Sequence, residues 1–248
     1  MNLLILFAGG MVALAAMLIL LIALIKRKAE PAHREIPEIE QLRHALDQSV
    51  EEGTRVHLSI GKGKLISSQG AAGMAGLSAM NRLSTVIRSS DLPMLSSSGE
   101  PALSILSQDI LQSSNKDRIG NEEVTFRQAR LTGLTDFSYA AGTIPLIGNG
   151  KISTNIMLGD FGVEAGLIME SADRNHGTTF AASDDIAGQA VMYAANGDSL
   201  VGEELFAVPE YLHHSPVHAA SLTVQDIIRW GIIACILIGA ILKLGGVI

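Results

Sequence analysis

From Met1 to Ile25 the chain carries no charged side chain, and from Leu3 onward it is almost wholly apolar. At about 1.5 Å of rise per residue, a helix of that length crosses the ~30 Å hydrocarbon core of a bilayer with some tilt. The basic triplet Lys26-Arg27-Lys28 follows the apolar run. A cleaved signal peptide has the opposite order: a basic region, an apolar stretch of only about 7–15 residues, then a small-residue cleavage site. The order here predicts an uncleaved anchor with its N-terminus outside and its basic flank in the cytoplasm. At the other end, Trp230 to Ile248 gives 19 residues interrupted by one charge, Lys243, which can snorkel to the far surface. Arg229 and Trp230 suit the headgroup level. A core helix or an interfacial helix is the alternative, but the first is seldom apolar on every face and the second needs a polar stripe. The expected organisation is therefore a transmembrane helix with basic flank at 1–28, a linker and amphipathic helix at 29–52, a cytosolic domain at 53–223 and a second transmembrane helix at 224–248. Both termini face outward.

Charge narrows what the middle of the chain can bind. Between residues 29 and 223 lie 13 Lys and Arg against 24 Asp and Glu, a net charge of −11. A nucleic-acid partner needs a basic footprint that displaces counterions, so none is expected. The one cysteine, Cys235, lies inside the C-terminal apolar segment, which excludes an intramolecular disulfide and any zinc site built on several thiolates.

Within the domain, apolar periodicity alternates between two and 3.6 residues. Ile39, Leu42, Leu46 and Val50 mark an amphipathic helix over 38–52, ended by Gly53. Val56, Leu58 and Ile60 mark a strand over 55–60, followed by a long small-residue helix at 67–89. Further strands are expected at 93–97, 123–129, 152–158 and 178–182. Helices are expected at 101–113, at 135–141 (broken before Pro145), at 163–171, at 187–195 and at 201–208 (ending before Pro209). This alternation predicts an α/β fold: a mostly parallel, Rossmann-like sheet with helices on both faces. A transmembrane helix then flanks it at each terminus.

Two segments mark a ligand site in such a fold. Gly61-Lys62-Gly63 follows the first strand where a dinucleotide-binding loop sits, although Ile66 stands where the third glycine belongs. Gly159-Asp160 ends a later strand, and open α/β sheets bind ligands at such ends. Gly61, Lys62, Gly63, Gly159 and Asp160 are thus the expected binding residues for a small anionic ligand. The competing readings, which the local pattern favours, are a tight turn for the glycines, and capping of the following helix by Asp160 with Glu164 in that helix's favourable first turn. Asp184 and Asp185 invite the same capping reading. Gly148-Asn149-Gly150-Lys151 lacks the remaining residues of a P-loop and reads as a turn. His213, His214 and His218 cluster before the second span, but Pro216 interrupts them and no carboxylate sits at helical spacing, so headgroup contact explains them as well as a metal does. His57, on the strand face opposite Val56, reads as a packed histidine. No nucleophile elbow, kinase set or paired-carboxylate spacing occurs, so no catalytic residue, metal ligand or cofactor is assigned.

Gly53-Thr54-Arg55-Val56-His57, Ser90-Asp91-Leu92-Pro93, Leu158-Gly159-Asp160-Phe161-Gly162, Gly202 to Ala207 and Gln225 to Trp230 together carry a resemblance. From about residue 50 onward the chain resembles an uncharacterised family of bacterial membrane proteins with a domain of unknown function. That resemblance implies a Rossmann-like domain before a C-terminal transmembrane helix and brings no activity. With two anchors and no catalytic constellation, the expected role is a non-enzymatic scaffold or assembly component of the cell membrane. Its expected partners are the bilayer, further copies of itself or other membrane proteins. The alternative is a tethered binding domain for an anionic ligand such as a nucleotide. Gly9 and Ala13 in the first span, and Gly231, Cys235 and Gly239 in the second, form small-residue faces suited to close helix packing. They serve either self-association or the two spans of one chain.

Overall fold

The computed structural model describes residues 3–25, 36–67, 69–87, 90, 92–115, 128–196 and 199–245. The Lys26-Arg27-Lys28 triplet and most of the strand expected at 123–129 lie outside them. The chain divides into two compact units, one formed by both terminal segments and one spanning Arg34–Leu212.

The terminal unit is a pair of long helices, α1 (Leu3–Ile25) and α9 (Pro216–Leu244), packed together. Both are long and apolar enough to cross a membrane, and no residue of either apolar window is buried. At 23 residues, α1 is about 34 Å long. Helix α9 starts well ahead of residue 224, with Pro216 in its first turn where a missing N–H costs nothing. His218 is accordingly helical rather than part of a loop, and Arg229 pairs with Asp226 at 3.6 Å one turn away.

The second unit is the α/β domain. Its elements are α2 (Pro37–Glu51), β1 (Arg55–Gly61), α3 (Gly70–Val86), β2 (Leu95–Ser98), α4 (Pro101–Asn115), β3 (Ala129–Leu131), α5 (Asp136–Asn149), β4 (Ile152–Asp160), α6 (Ala165–Arg174), β5 (Thr178–Ser183), α7 (Ile186–Asn196) and α8 (Glu204–Leu212). The five strands form one sheet in the order β3-β2-β1-β4-β5, with every pairing parallel. On one face, α2, α3, α4 and α8 bury Leu42, Leu83, Leu103 and Leu205 against Val56, Leu58 and Ile60. On the other, α5, α6 and α7 bury Tyr139, Ile168 and Met192 against Met157 and Ala181.

Two helices run past the prolines expected to end them: Pro145 lies inside α5 and Pro209 inside α8. A proline ring removes one i→i−4 bond and costs about 3 kcal/mol in a helix interior. In α5 that loss is offset by burial on both sides of the break, with Tyr139 and Ala140 before Pro145 and Ile147 after it. In α8, Leu205 and Val208 precede the ring, and Pro209 is itself buried. Third strand β3 starts at Ala129, where the expected one ends, because its partners are Ser96, Ser97 and Ser98.

Candidate functional site

The chain lays down β1, β2 and β3 outward in one direction, then returns to place β4 on the free side of β1 and continues to β5. The loops after β1 and β4 therefore diverge, leaving a crevice at the carboxyl ends of two neighbouring strands. Gly61, Lys62, Gly63, Gly159 and Asp160 all meet there. Gly61 is registered against Asp160, and the Lys62 N–H donates to the Asp160 carbonyl at 3.1 Å. Gly61 has φ +78°, and a Cβ on it would strike the Asp160 carbonyl oxygen; a Cβ on Gly159 would strike that of Ile60. Tight backbone approach thus accounts for both glycines. A Cβ on Gly63 would lie 2.7 Å from the Gln69 carbonyl.

The side chain of Lys62 runs along this crevice. Its ammonium sits 2.5 Å from Asp136 and 3.3 Å from Glu164. Burial by itself would lower the Lys62 pKa, but the two carboxylates outweigh it and hold the ammonium above its usual value. Glu164 is completely buried. It stands at the N-cap position of α6, one residue ahead of the first turn expected to hold it, and makes no cap; its Oε1 accepts the Gly162 N–H at 2.9 Å and faces Lys62. Its Oε2 is buried and has no hydrogen-bond partner. Asp160 does not cap either: it is the last residue of β4. Burial, aided by the charge of Asp184, raises its pKa to about 6 against the pull of Lys62. Burial likewise raises Asp184, with Asp185 adding to the effect, and Asp184 Oδ1 is buried without a partner. Asp185 does cap its helix, its Oδ2 accepting the Gly188 N–H at 3.0 Å.

Beneath the crevice lies a polar network on the α5 side of the sheet. His57 is buried, with Nδ1 2.7 Å from Asn155 Oδ1 and Nε2 3.0 Å from Ser97 Oγ. An amide oxygen only accepts, so Nδ1 carries the proton and Nε2 accepts from the serine. Burial lowers the His57 pKa to about 4, so the ring is neutral. Ser97 continues to Ser59 at 3.3 Å and to the Tyr139 hydroxyl at 3.2 Å. That hydroxyl also bonds Ser59 and accepts the Gly61 N–H at 3.3 Å. The packed-histidine reading of His57 is what the structure shows. Asp136, Tyr139, Ser97 and Asn155 were not marked by any sequence motif; only the polar alternation of His57 and Ser59 within β1 hinted at a polar layer.

Elsewhere, the turn expected over Gly148 to Lys151 is shorter: Gly148 and Asn149 close α5, and Gly150 and Lys151 alone turn into β4, with Lys151 at φ +54°. Among the described residues, no three His, Cys, Asp or Glu side chains gather in a way that could hold a metal ion.

Strand order, parallel pairing and a polar crevice at the reversal make this an open, doubly wound α/β domain, carried by a chain with two long apolar terminal helices. The chain belongs to the family described as Domain of unknown function (DUF6754), which matches residues 2–247. No curated protein and no solved structure matches it.

Proposed function

We propose that this protein is a membrane-anchored binding module, in which α1 and α9 are the anchor and the α/β domain takes a small polar ligand in the crevice between β1 and β4. The carrying observation is the built charge arrangement at the strand reversal: Lys62 is suspended between Asp136 and the fully buried Glu164. Fold-level logic supports the location, since open α/β sheets bind ligands at this point. A compound that raises the melting temperature of the full chain in detergent, with an affinity that changes tenfold or more in Lys62→Met, is the expected result. Stabilisation indifferent to that substitution would move the site elsewhere. Placing the domain in the cytoplasm rests on the basic triplet after the first apolar segment and on Arg229 before the second. Cleavage between 53 and 212 by protease added to right-side-out vesicles would reverse that orientation.

A second reading, assembly through the terminal helices, draws on a separate observation. A Cβ placed on Gly9, Gly10, Gly231 or Gly239 would meet nothing within 4 Å, so the α1–α9 pair leaves these glycine positions unused. Small residues permit the close backbone approach that drives association in lipid. Gly239→Ile should reduce the mass of the detergent-solubilised particle while leaving its helix content unchanged; a wild-type particle of monomer mass at all concentrations would end this reading.

A further inference from the structure

We propose that the crevice ligand is a small organic cation bearing N–H donors, a primary amine or guanidine, held by the unpartnered carboxylate oxygen of Glu164. This deepens the binding-module reading and rests on it. The glycine turn and Lys62 suggest an anion by themselves, but the charges around them oppose one. The ends of the five strands, the loops after them and the first turns of the helices that follow carry two cations, Lys62 and Lys64, and six carboxylates, Glu100, Asp136, Asp160, Glu164, Asp184 and Asp185. Lys62 already faces two of the six. A bare phosphate arriving here would have to displace Asp136 or Glu164 from the ammonium and would then face the remaining acids.

The orphan oxygen carries the argument. Glu164 is 0 % exposed, and its Oε2 has no donor. A buried carboxylate oxygen without a donor is costly, and a group that brings a donor relieves the deficit. Gly162 lies beside it: a Cβ there would sit 2.8 Å from Glu164 Oε2 and 3.6 Å from Lys62 Nζ. Oε2 itself is closed to solvent, so a ligand reaches it only when the turn at the partly buried Gly162 gives way, and that residue has no side chain to move. A second buried carboxylate oxygen without a donor, Asp184 Oδ1, belongs to the same edge. Exposed apolar side chains stand in the same set of loops and first helical turns: Ile66, Leu134, Phe137, Val163 and Ile186. They offer the hydrocarbon body of an amine a surface to lie on.

The experiment is calorimetric titration of the full chain in detergent at about 0.15 M salt, where diffuse attraction between exposed charges is screened beyond roughly 8 Å. The probes are agmatine, putrescine and spermidine, with ATP, inorganic phosphate and magnesium chloride alone as the other arms. Saturable binding of an amine is expected, weakened at least tenfold by Glu164→Gln, which puts a donor where the ligand's donor must go. Gly162→Ala should weaken it similarly; its methyl meets the ends of the Glu164 and Lys62 side chains and leaves both charges in place, so it keeps the proposal testable if the glutamate variant misfolds. Lys62→Met gives the sign: removing a competing cation should tighten an amine and would abolish an anion. Binding of ATP or phosphate but not amines, lost in Lys62→Met, would overturn the cationic class and leave the binding module standing. Binding of magnesium alone would overturn it too, as would amine binding indifferent to both Glu164→Gln and Gly162→Ala. Silence in every arm would remove the proposal together with the binding-module reading.

Discussion

Along β1, Val56, Leu58 and Ile60 enter an aliphatic core, while His57 and Ser59, each one residue away, enter a network of hydroxyls, an amide and an imidazole. The two faces of one strand thus obey different economies. On the aliphatic face each buried side chain contributes through area removed from water and through close packing. On the polar face burial is only tolerable because partners are supplied, and a missing partner there costs more than a made bond contributes. The aliphatic face holds the domain together. The polar face fixes where the Gly61 turn sits, because the Tyr139 hydroxyl accepts the Gly61 N–H at the floor of the crevice.

The largest expected effect breaks the aliphatic side. Leu58 is completely buried in that core. Leu58→Ala should cost about 3–4 kcal/mol, transfer and cavity terms together. In thermal unfolding followed by circular dichroism, that is a fall of roughly 10 °C for a domain of this size. The polar face answers to pH instead. With its folded pKa near 4 and an unfolded value near 6.5, His57 binds a proton in the unfolded chain first. Its contribution is fully present above pH 6.5 and is lost as pH falls toward 4, about 3 kcal/mol over that window. Gln in place of His57 should flatten that part of the acid limb of a stability profile; an unchanged limb would mean that another group sets it. A smaller effect, about 1–2 kcal/mol, is expected for Tyr139→Phe, which strips a partner from Ser59 and from the Gly61 N–H. It should couple with Ser59→Ala in a double-mutant cycle but add independently with Leu58→Ala.

The aliphatic face was the legible one. Val56, Leu58 and Ile60 alternate in sequence as they do in space, and the strand–helix rhythm gave an α/β fold that the parallel five-stranded sheet bears out. Turn and breaker rules were less secure. Pro145 and Pro209 read as helix ends because the rule weighs only the local bond, whereas burial of Tyr139, Ile147 and Leu205 is a tertiary term. The crevice was half legible. Gly61 to Gly63 and Gly159-Asp160 could be placed at strand ends, and their meeting follows once β4 lies beside β1. Asp136 and Glu164 could not be tied to Lys62, because that depends on which helix N-terminus the reversal brings within reach. Charge was legible only in part for the same reason: Lys62 alone suggests an anion site, and the two carboxylates beside it come into view only in three dimensions.

The smallest predicted effect has the opposite sign to the others and lies at the crevice. Asp160 is held near pKa 6, above its ordinary 3.8, by partial burial and by the neighbouring Asp184. The folded domain therefore binds this proton more tightly than the unfolded chain does. The associated stability is fully present below pH 3.8 and is lost as pH rises through 6, so at neutral pH the ionised carboxylate is a net burden. Asp160→Asn keeps the shape and removes the charge. It should raise stability at pH 8 by about 1 kcal/mol once solvent screening at this half-buried position is allowed for, or roughly 2–4 °C. The gain should shrink through pH 6 and vanish near pH 4, while the His57 contribution moves the other way over the same window. An Asp160→Asn gain that is constant from pH 8 to pH 4 would assign the effect to packing rather than to charge. A loss at pH 8 would show that attraction to Lys62 outweighs repulsion from Asp184, and the acidic crevice would then have to be regarded as balanced rather than as a field poised for a cation.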